Sequence, residues 1–312
     1  MKWFATPSQL RARGVVGLNQ RNSDYIMRYN PRHLYPLVDD KVYTKRLALE
    51  QGIAVPELYG VLSTQHETAE LDRIVETHQE FVMKPSHGSG GNGILVIDGR
   101  LGSHYRKANG DLVSSAAIVH HASNIVSGMY SLGGASDQAL IEYRVQFDPF
   151  FSHISYQGVP DIRVIVFRGV PIAAMARLPT RASDGKANLH QGAMGIGIDL
   201  ETGISKGGVC NDEAVDRHPD TGYETTGIKI PHWDEIMKLA IRCADTVGLG
   251  YLGVDIVMDR DRGPLMLELN ARPGLNVQIA NQMGLYDNLK KIESIDQLPD
   301  GVEERLAMAK AA

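Results

Sequence analysis

Glu268 and Asn270 stand two residues apart in the apolar run PLMLELN, a spacing that turns both side chains to one face of a strand. Asp255 lies in the preceding run, YLGVDIVMD. If the two runs form a hairpin with Asp259 opposite Pro264, the four residues Arg260 to Gly263 are its loop and Asp255 faces Glu268. A loop of odd length would put them on opposite faces. In the first register three oxygen donors share one face, with Val254, Ile256, Leu267 and Leu269 on the other. That set suits Mg2+, which takes few carboxylates and fills its other positions with water and phosphate oxygens. The competing reading is an ion pair with Arg260, Arg262 or Arg272, because a carboxylate buried in a strand is costly unless compensated.

A second group lies earlier in the chain. Gly88, Gly90 and Gly93 fit the spacing G-x-G-x-x-G. The dinucleotide-binding form of that motif needs a helix directly after the loop. Here HGSGGNG runs into Ile94-Leu95-Val96-Ile97, a β-type run, so that form is excluded. A strand-loop-strand flap survives, whose bare backbone N–H groups close on phosphate oxygens. The H-R-D and D-F-G motifs of the kinase version are absent, and the nearest approach to a Walker A loop, Gly185-Lys186, continues with Ala187. Lys84 ends the strand entering the flap and Lys41 opens an earlier helix. Two lysines near one flap can neutralise adjacent phosphates as point charges. Surface lysines on a flexible hairpin are the alternative.

The elements that must position these groups follow from punctuation and periodicity. A short amphipathic helix is expected around Ser8 to Leu18, and DKVYTKRLALEQ reads as a helix ended by Gly52. Strands are expected at 56–62, FVMKP (81–85), ILVID (94–98) and ALIEYRV (139–145). IRVIVFRG and VPIAAMARL read as a hairpin turning at Arg168-Gly169, and GIGIDLETG as a second hairpin signal. PHWDEIMKLAIRCADTVGL has helical apolar spacing between Pro231 and Gly248. Antiparallel hairpins with separate helices indicate an α+β fold rather than a doubly wound parallel sheet.

Composition bounds the function. In 312 residues, 43% hydrophobic and 22% charged, a sizeable core is available, and disordered, collagen-like and membrane classes are disfavoured. The formal net charge of -5 gives no global attraction to nucleic acid. Cys210 and Cys243, the only cysteines, are too few for a disulfide framework and fit a reducing, cytoplasmic setting. No run of about 18 apolar residues spans a bilayer, and the opening residues lack the apolar core of a signal peptide.

Taken in order, Lys41, Lys84-Pro-Ser with its glycine flap, Glu142-Tyr143, Asp161-Ile-Arg163, Asn188-Leu-His190, Asp255 and Glu268-Leu-Asn270 resemble the ATP-grasp ligases, and among them the RimK-like α-L-glutamate ligases. The similarity runs from about Asp40 to Gly274. It implies two α+β subdomains that grip ATP. In that resemblance Lys41 and Lys84 contact the phosphates while Ser86, Gly88, Ser89, Gly90, Gly91 and Gly93 belong to the flap. Glu142 and Tyr143 stand at the adenine hinge, Asp161 on the ribose side, and Lys186 and Asn188 near the phosphates. Asp255, Glu268 and Asn270 match the Mg2+ ligands, with Mn2+ as a substitute. The implied reaction phosphorylates a carboxylate and lets an amine displace the phosphate, with Arg163, Arg177 and Arg272 holding the carboxylate and the acyl-phosphate oxyanion.

The expected organisation is a preamble over 1–39, an ATP-grasp domain over 40–300 with lobes 40–142 and 143–300, and a tail over 301–312. Relatives carry a full domain ahead of the first lysine, which the 40 residues before Lys41 do not supply. Longer segments at 144–160, with Phe147, Phe150, Phe151 and Tyr156, and a lengthened loop at 199–230 stand where relatives are short. Gln191 and Arg272 replace the Arg and Ser of the nearest relatives, which loosens the case for glutamate. Arg21, Arg28 and Arg32 either lie against the site or form a solvated basic segment. The expected activity is an ATP- and Mg2+-dependent ligase joining an amino acid, L-glutamate or a related one, to an amine acceptor that is a small molecule, peptide or protein. No nucleic-acid or membrane partner is expected, and a homo-oligomer stays open. The alternatives are a phosphotransferase of the same fold and a non-catalytic nucleotide-binding regulator.

Overall fold

The computed structural model describes residues 5–88 and 90–311. Its contacts divide the chain into two compact units, one of Asp39–Arg46 with Val55–Val145, the other of the rest. Helix α1 (Lys41–Glu50) runs from the first into the second, ending at Gly52, whose φ of 63° a side chain rarely adopts. Asp40 starts that helix: its Oδ1 accepts from the N–H groups of Val42 and Tyr43.

The smaller unit is a six-stranded antiparallel sheet of β1 (Leu58–Leu62), β2 (Phe81–Pro85), β3 (Leu95–Leu101), β4 (His104–Lys107), β5 (Leu112–Ser114) and β6 (Ala139–Glu142), in the order β1-β6-β2-β3-β4-β5. Helix α2 (Ser115–Val126), capped by the Ser114 hydroxyl, packs on β2, β5 and β6. Phe81, Met83, Ile97, Ile118, Ile125 and Ile141 form its core. No element is expected between Asp98 and Ala139, yet β4, β5 and α2 form there, with Ile118, Ala122, Ile125 and Val126 of α2 buried at helical spacing. Strand β6 is shorter than expected, ending at Glu142.

The larger unit holds an antiparallel sheet of β7 (Asp161–Phe167), β8 (Val170–Leu178), β9 (Met194–Ile198), β10 (Ile204–Cys210), β11 (Glu213–Val215), β12 (Thr226–Lys229), β13 (Tyr251–Asp259) and β14 (Gly263–Asn270). Its order is β11-β10-β9-β8-β7-β13-β14, with β12 also paired to β10. Helix α3 (Trp233–Val247) packs against β7, β8, β13 and β14, and α4 (Val302–Lys310) against α3 and β8. Arg168 and Gly169, with φ of 49° and 77°, make the tight β7–β8 turn that the sequence indicates. The region 199–230, expected as a lengthened loop, instead carries β10, β11 and β12, because glycines at 203, 207, 208 and 227 hide the strand alternation. The first helix spans only Pro7–Ala12, with Thr6 and Gln9 in a reciprocal cap, and a helical run with a π-helical turn at Arg21–Ile26 follows. Among the described residues no helix is long and apolar enough to cross a membrane.

Candidate active site

In the larger unit a charged stripe crosses one face of the sheet. Cross-strand pairing sets Asp161 opposite Arg177, Arg163 opposite Asp255, and Asp255 opposite Glu268. Asn270 lies two residues on, so all six side chains leave the same face, while Ile162, Val164, Ala176 and Val254 pack on the other. The hairpin reaches this register by a route unlike the expected one. Asp259 pairs with Gly263, leaving a three-residue loop, which by itself would set Asp255 opposite Leu267. A bulge in β14 takes up one residue between Met266 and Glu268 and restores the Asp255–Glu268 pair.

The charges are tightly organised. Arg163 donates Nε to one Asp255 oxygen at 2.6 Å and Nη2 to the other at 2.5 Å. Arg177 grips both oxygens of Asp161 and reaches Asp255 Oδ2 at 2.8 Å. Burial alone would raise both carboxyls. For Asp255 the two guanidinium groups win and hold it at about 2. For Asp161 burial and the charge of Asp255 outweigh Arg177, and it rises to about 6. The four charges sum to zero, which allows them to be buried together.

A divalent cation fits part of this set. Glu268 and Asn270 supply hard oxygens on one face, as Mg2+ prefers. Asp255 fits less well: its oxygens already serve two cations, and Asn270 turns its amide N–H2 toward it at 3.3 Å. Among the described residues no group of three or more His, Cys, Asp or Glu side chains is gathered closely enough to hold a metal.

In the smaller unit Lys84, at the end of β2, lies 2.6 Å from Glu142 of β6, and the second Glu142 oxygen accepts from Lys45. Glu142, expected beside an adenine, is 2% exposed and serves as counterion to both lysines. Burial opposes its charge, but Lys84 and Lys45 keep it below the usual carboxylate range. Lys45 was not among the sequence candidates; its signal is the four-residue spacing from Lys41, which sets both on one helix face. Burial pushes Lys45 down to about 8 against the pull of Glu142. Tyr143 gives its backbone N–H to Glu57 at 2.8 Å, so that donor is already used.

Lys41 holds the root of the flap, donating to the Gly88 carbonyl at 2.8 Å. Ser86 is fully buried and donates to Asp40 at 2.6 Å, and the His87 ring contacts Asp137 at 2.8 Å. Asp40 and Asp137 are further residues that motif spacing does not reveal. Gly90, Gly91 and Gly93 all have φ between 65° and 80°, a backbone that exposes N–H groups as a phosphate cradle requires. A Cβ at Gly93 would meet the Tyr130 ring at 2.6 Å. These features fit a polyphosphate. Ser89 lies outside the described residues.

Lys186 is exposed in the loop after β8, and Asn188 caps the turn Leu189–Gln191 by accepting from the His190 N–H. Among the described residues no side-chain hydrogen bond or ion pair links Lys186 or Asn188 to Asp161, Arg163, Arg177 or Asp255. Arg272 stands just past β14 with its guanidinium 4.7 Å over the Tyr35 ring. Of the aromatic residues in the longer segment 144–160, Phe151 is a core residue, Phe147 bridges to Asp259, and Tyr156 lies under Arg181.

A family model described as sugar-transfer associated ATP-grasp matches residues 20–294. A probable alpha-L-glutamate ligase of Maridesulfovibrio salexigens is 26% identical over 259 residues, 81% of this chain and 63% of that protein. A ribosomal protein bS6–L-glutamate ligase of Salmonella paratyphi B is 25% identical over 236 residues, 76% of this chain and 56% of the relative. The chain thus spans less than two thirds of the length of these curated relatives. Among solved structures, biotin carboxylase of Campylobacter jejuni matches with a TM-score of 0.55 at 14% identity, covering 95% of this chain and 53% of that one, a likeness of fold.

Proposed function

The chain belongs to the sugar-transfer associated ATP-grasp family, and we propose that it is an ATP- and Mg2+-dependent carboxylate–amine ligase. The observation that carries this reading is the stripe on the large sheet, where rigidly paired Arg163 and Arg177 stand beside Glu268 and Asn270. Guanidinium groups locked by two carboxylates are oriented before substrate arrives, which is what stabilising a developing oxyanion demands.

In the proposed reaction a carboxylate oxygen attacks the γ-phosphorus of ATP and ADP leaves, giving an acyl phosphate. A neutral amine then attacks the acyl carbon, inorganic phosphate leaves, and the amine loses a proton. Lys41 and the backbone of the flap hold the phosphates. Lys84, which shares the Glu142 carboxylate with Lys45, is the second phosphate contact. Glu268 and Asn270 would hold Mg2+, which when bound supplies charge neutralisation on the phosphoryl oxygens. Asp255 and Asp161 position Arg163 and Arg177, and these bind the acyl phosphate. No side chain needs to act as a covalent nucleophile.

The substrate is proposed to be an amino acid, L-glutamate or a relative of it, joined to an amine on a small molecule, peptide or protein. The names of the two curated relatives support that choice. Hydroxylamine added during ATP turnover tests the reaction class: an acyl phosphate is trapped as a hydroxamate. Turnover that yields a stable phosphorylated product and no hydroxamate with any carboxylate would assign a phosphotransferase instead.

A further inference from the structure

The segment from Arg21 to Tyr35 is fastened to the large unit so that positive charge faces a cavity. Asn30, 2% exposed, is the fastener: its Nδ2 donates to the carbonyls of Tyr251 and Ala271, and its Oδ1 accepts from the Tyr251 N–H. Its hydrogen-bonding groups are thereby spent on the backbone. Arg21 is buried as well, donating Nη1 to the Pro273 carbonyl at 2.6 Å and Nε and Nη2 to Asn22 Oδ1. Among the described residues no carboxylate pairs with it. Burial chiefly, and with it the like charge of Arg272, lowers its proton affinity.

The cavity, about 230 Å3, lies beside this fastening and is lined by Asn22, Ile26, Met27, Arg32, Tyr35 and Arg272, together with Asn30. None of its lining residues is acidic. Arg272 spends the face of its guanidinium on the Tyr35 ring, which leaves its edge N–H donors for a ligand. No carboxylate pairs with Arg272 or with Arg32 among the described residues. Asn22 has committed its carbonyl oxygen to Arg21, so the group it has left is a donor. The polar lining therefore consists of donors and positive charge, while Ile26, Met27 and the Tyr35 ring form an apolar wall.

We propose that this cavity is an anion subsite, which takes the carboxylate or phosphate-monoester group of a small substrate on Arg272, Arg32 and Asn22 and packs its apolar part against Ile26 and Met27. The proposal rests on the ligase reading for one point only, that the occupant is a substrate of that reaction. A three-donor site with no competing acid prefers an oxyanion over a neutral isostere, because only the anion gains charge-assisted hydrogen bonds from Arg32 and Arg272, which stand exposed at the mouth of the cavity.

Calorimetric titration of the full chain with benzoate, phenyl phosphate and benzamide tests this. One or both anions should bind at least tenfold tighter than benzamide, and Arg32→Gln and Arg272→Gln should each weaken that binding at least tenfold without moving the thermal unfolding midpoint. The preferred anion tells a carboxylate from a phosphate. Anions that bind no tighter than benzamide, or that bind both variants as well as the unaltered chain, overturn the proposal. Mg-ATP titrated in parallel separates the two readings: a chain that binds benzoate through Arg32 but binds no Mg-ATP keeps the subsite and loses the ligase.

Discussion

Arg163 donates to both oxygens of Asp255, at 2.6 and 2.5 Å, across neighbouring strands in which the two residues stand directly opposite. The pair is almost wholly buried, so neither charge can fall back on water. Asp255→Asn keeps the shape and removes the charge, leaving Arg163 without its counterion. The expected loss is about 3–5 kcal/mol of unfolding free energy in urea, and Asp255→Leu combined with Arg163→Met should recover much of it. A single variant as stable as the unaltered chain would show that the pair does not support the sheet.

Lys45 gives the fold a pH dependence of defined sign. Its folded pKa, about 8, lies below the value of a free lysine, about 10.4. Between those values the unfolded chain binds the extra proton. Stability from this group therefore rises with pH across the window and is lost as pH falls through about 8. The stability difference between the unaltered chain and Lys45→Met should grow from pH 8 to 10.5. A flat or falling difference contradicts the assignment.

Glu268 is proposed to act on chemistry more than on folding, being partly exposed at the end of the stripe. Glu268→Ala is expected to lower ATP-dependent turnover by about a thousandfold, ~4 kcal/mol of transition-state stabilisation, with the unfolding midpoint little changed. Turnover within tenfold of normal would remove Glu268 from the site.

Gly250 is where Tyr29 crosses the start of β13. A Cβ there would lie 2.8 Å from the Tyr29 Cβ and carbonyl oxygen, and the Gly250 N–H donates to that carbonyl. Gly250→Ala should cost about 1–3 kcal/mol through overpacking and loosen the Asn30 fastening. Urea unfolding measures the first effect, and faster amide exchange at Tyr251, whose N–H donates to Asn30, reports the second.

Local pattern carries far in this chain. Alternating apolar runs specify β2, β7, β8, β13 and β14, Arg168-Gly169 specifies its turn, and helical spacing bounded by Pro231 and Gly248 specifies α3, because each depends on neighbours within a few residues. Residue type likewise marks Glu268, Asn270 and the glycines of the flap as candidates. Partner choice is another matter. The three-residue loop after Asp259 would separate Asp255 from Glu268, and only the bulge beside Leu267 reunites them. Glu142 finds Lys45, and Asp255 finds Arg163, across about ninety residues of chain. Arg21 and Tyr35 come to flank Arg272 only because Asn30 fastens their segment to β13. Such pairings follow from register, closure of the sheet and the need to satisfy buried charge, conditions that exist only once distant segments pack. Local pattern is enough for an α+β chain with hairpins, a glycine flap and its donors; which donors stand together, and which are spent on each other, follows only from the packing of distant segments.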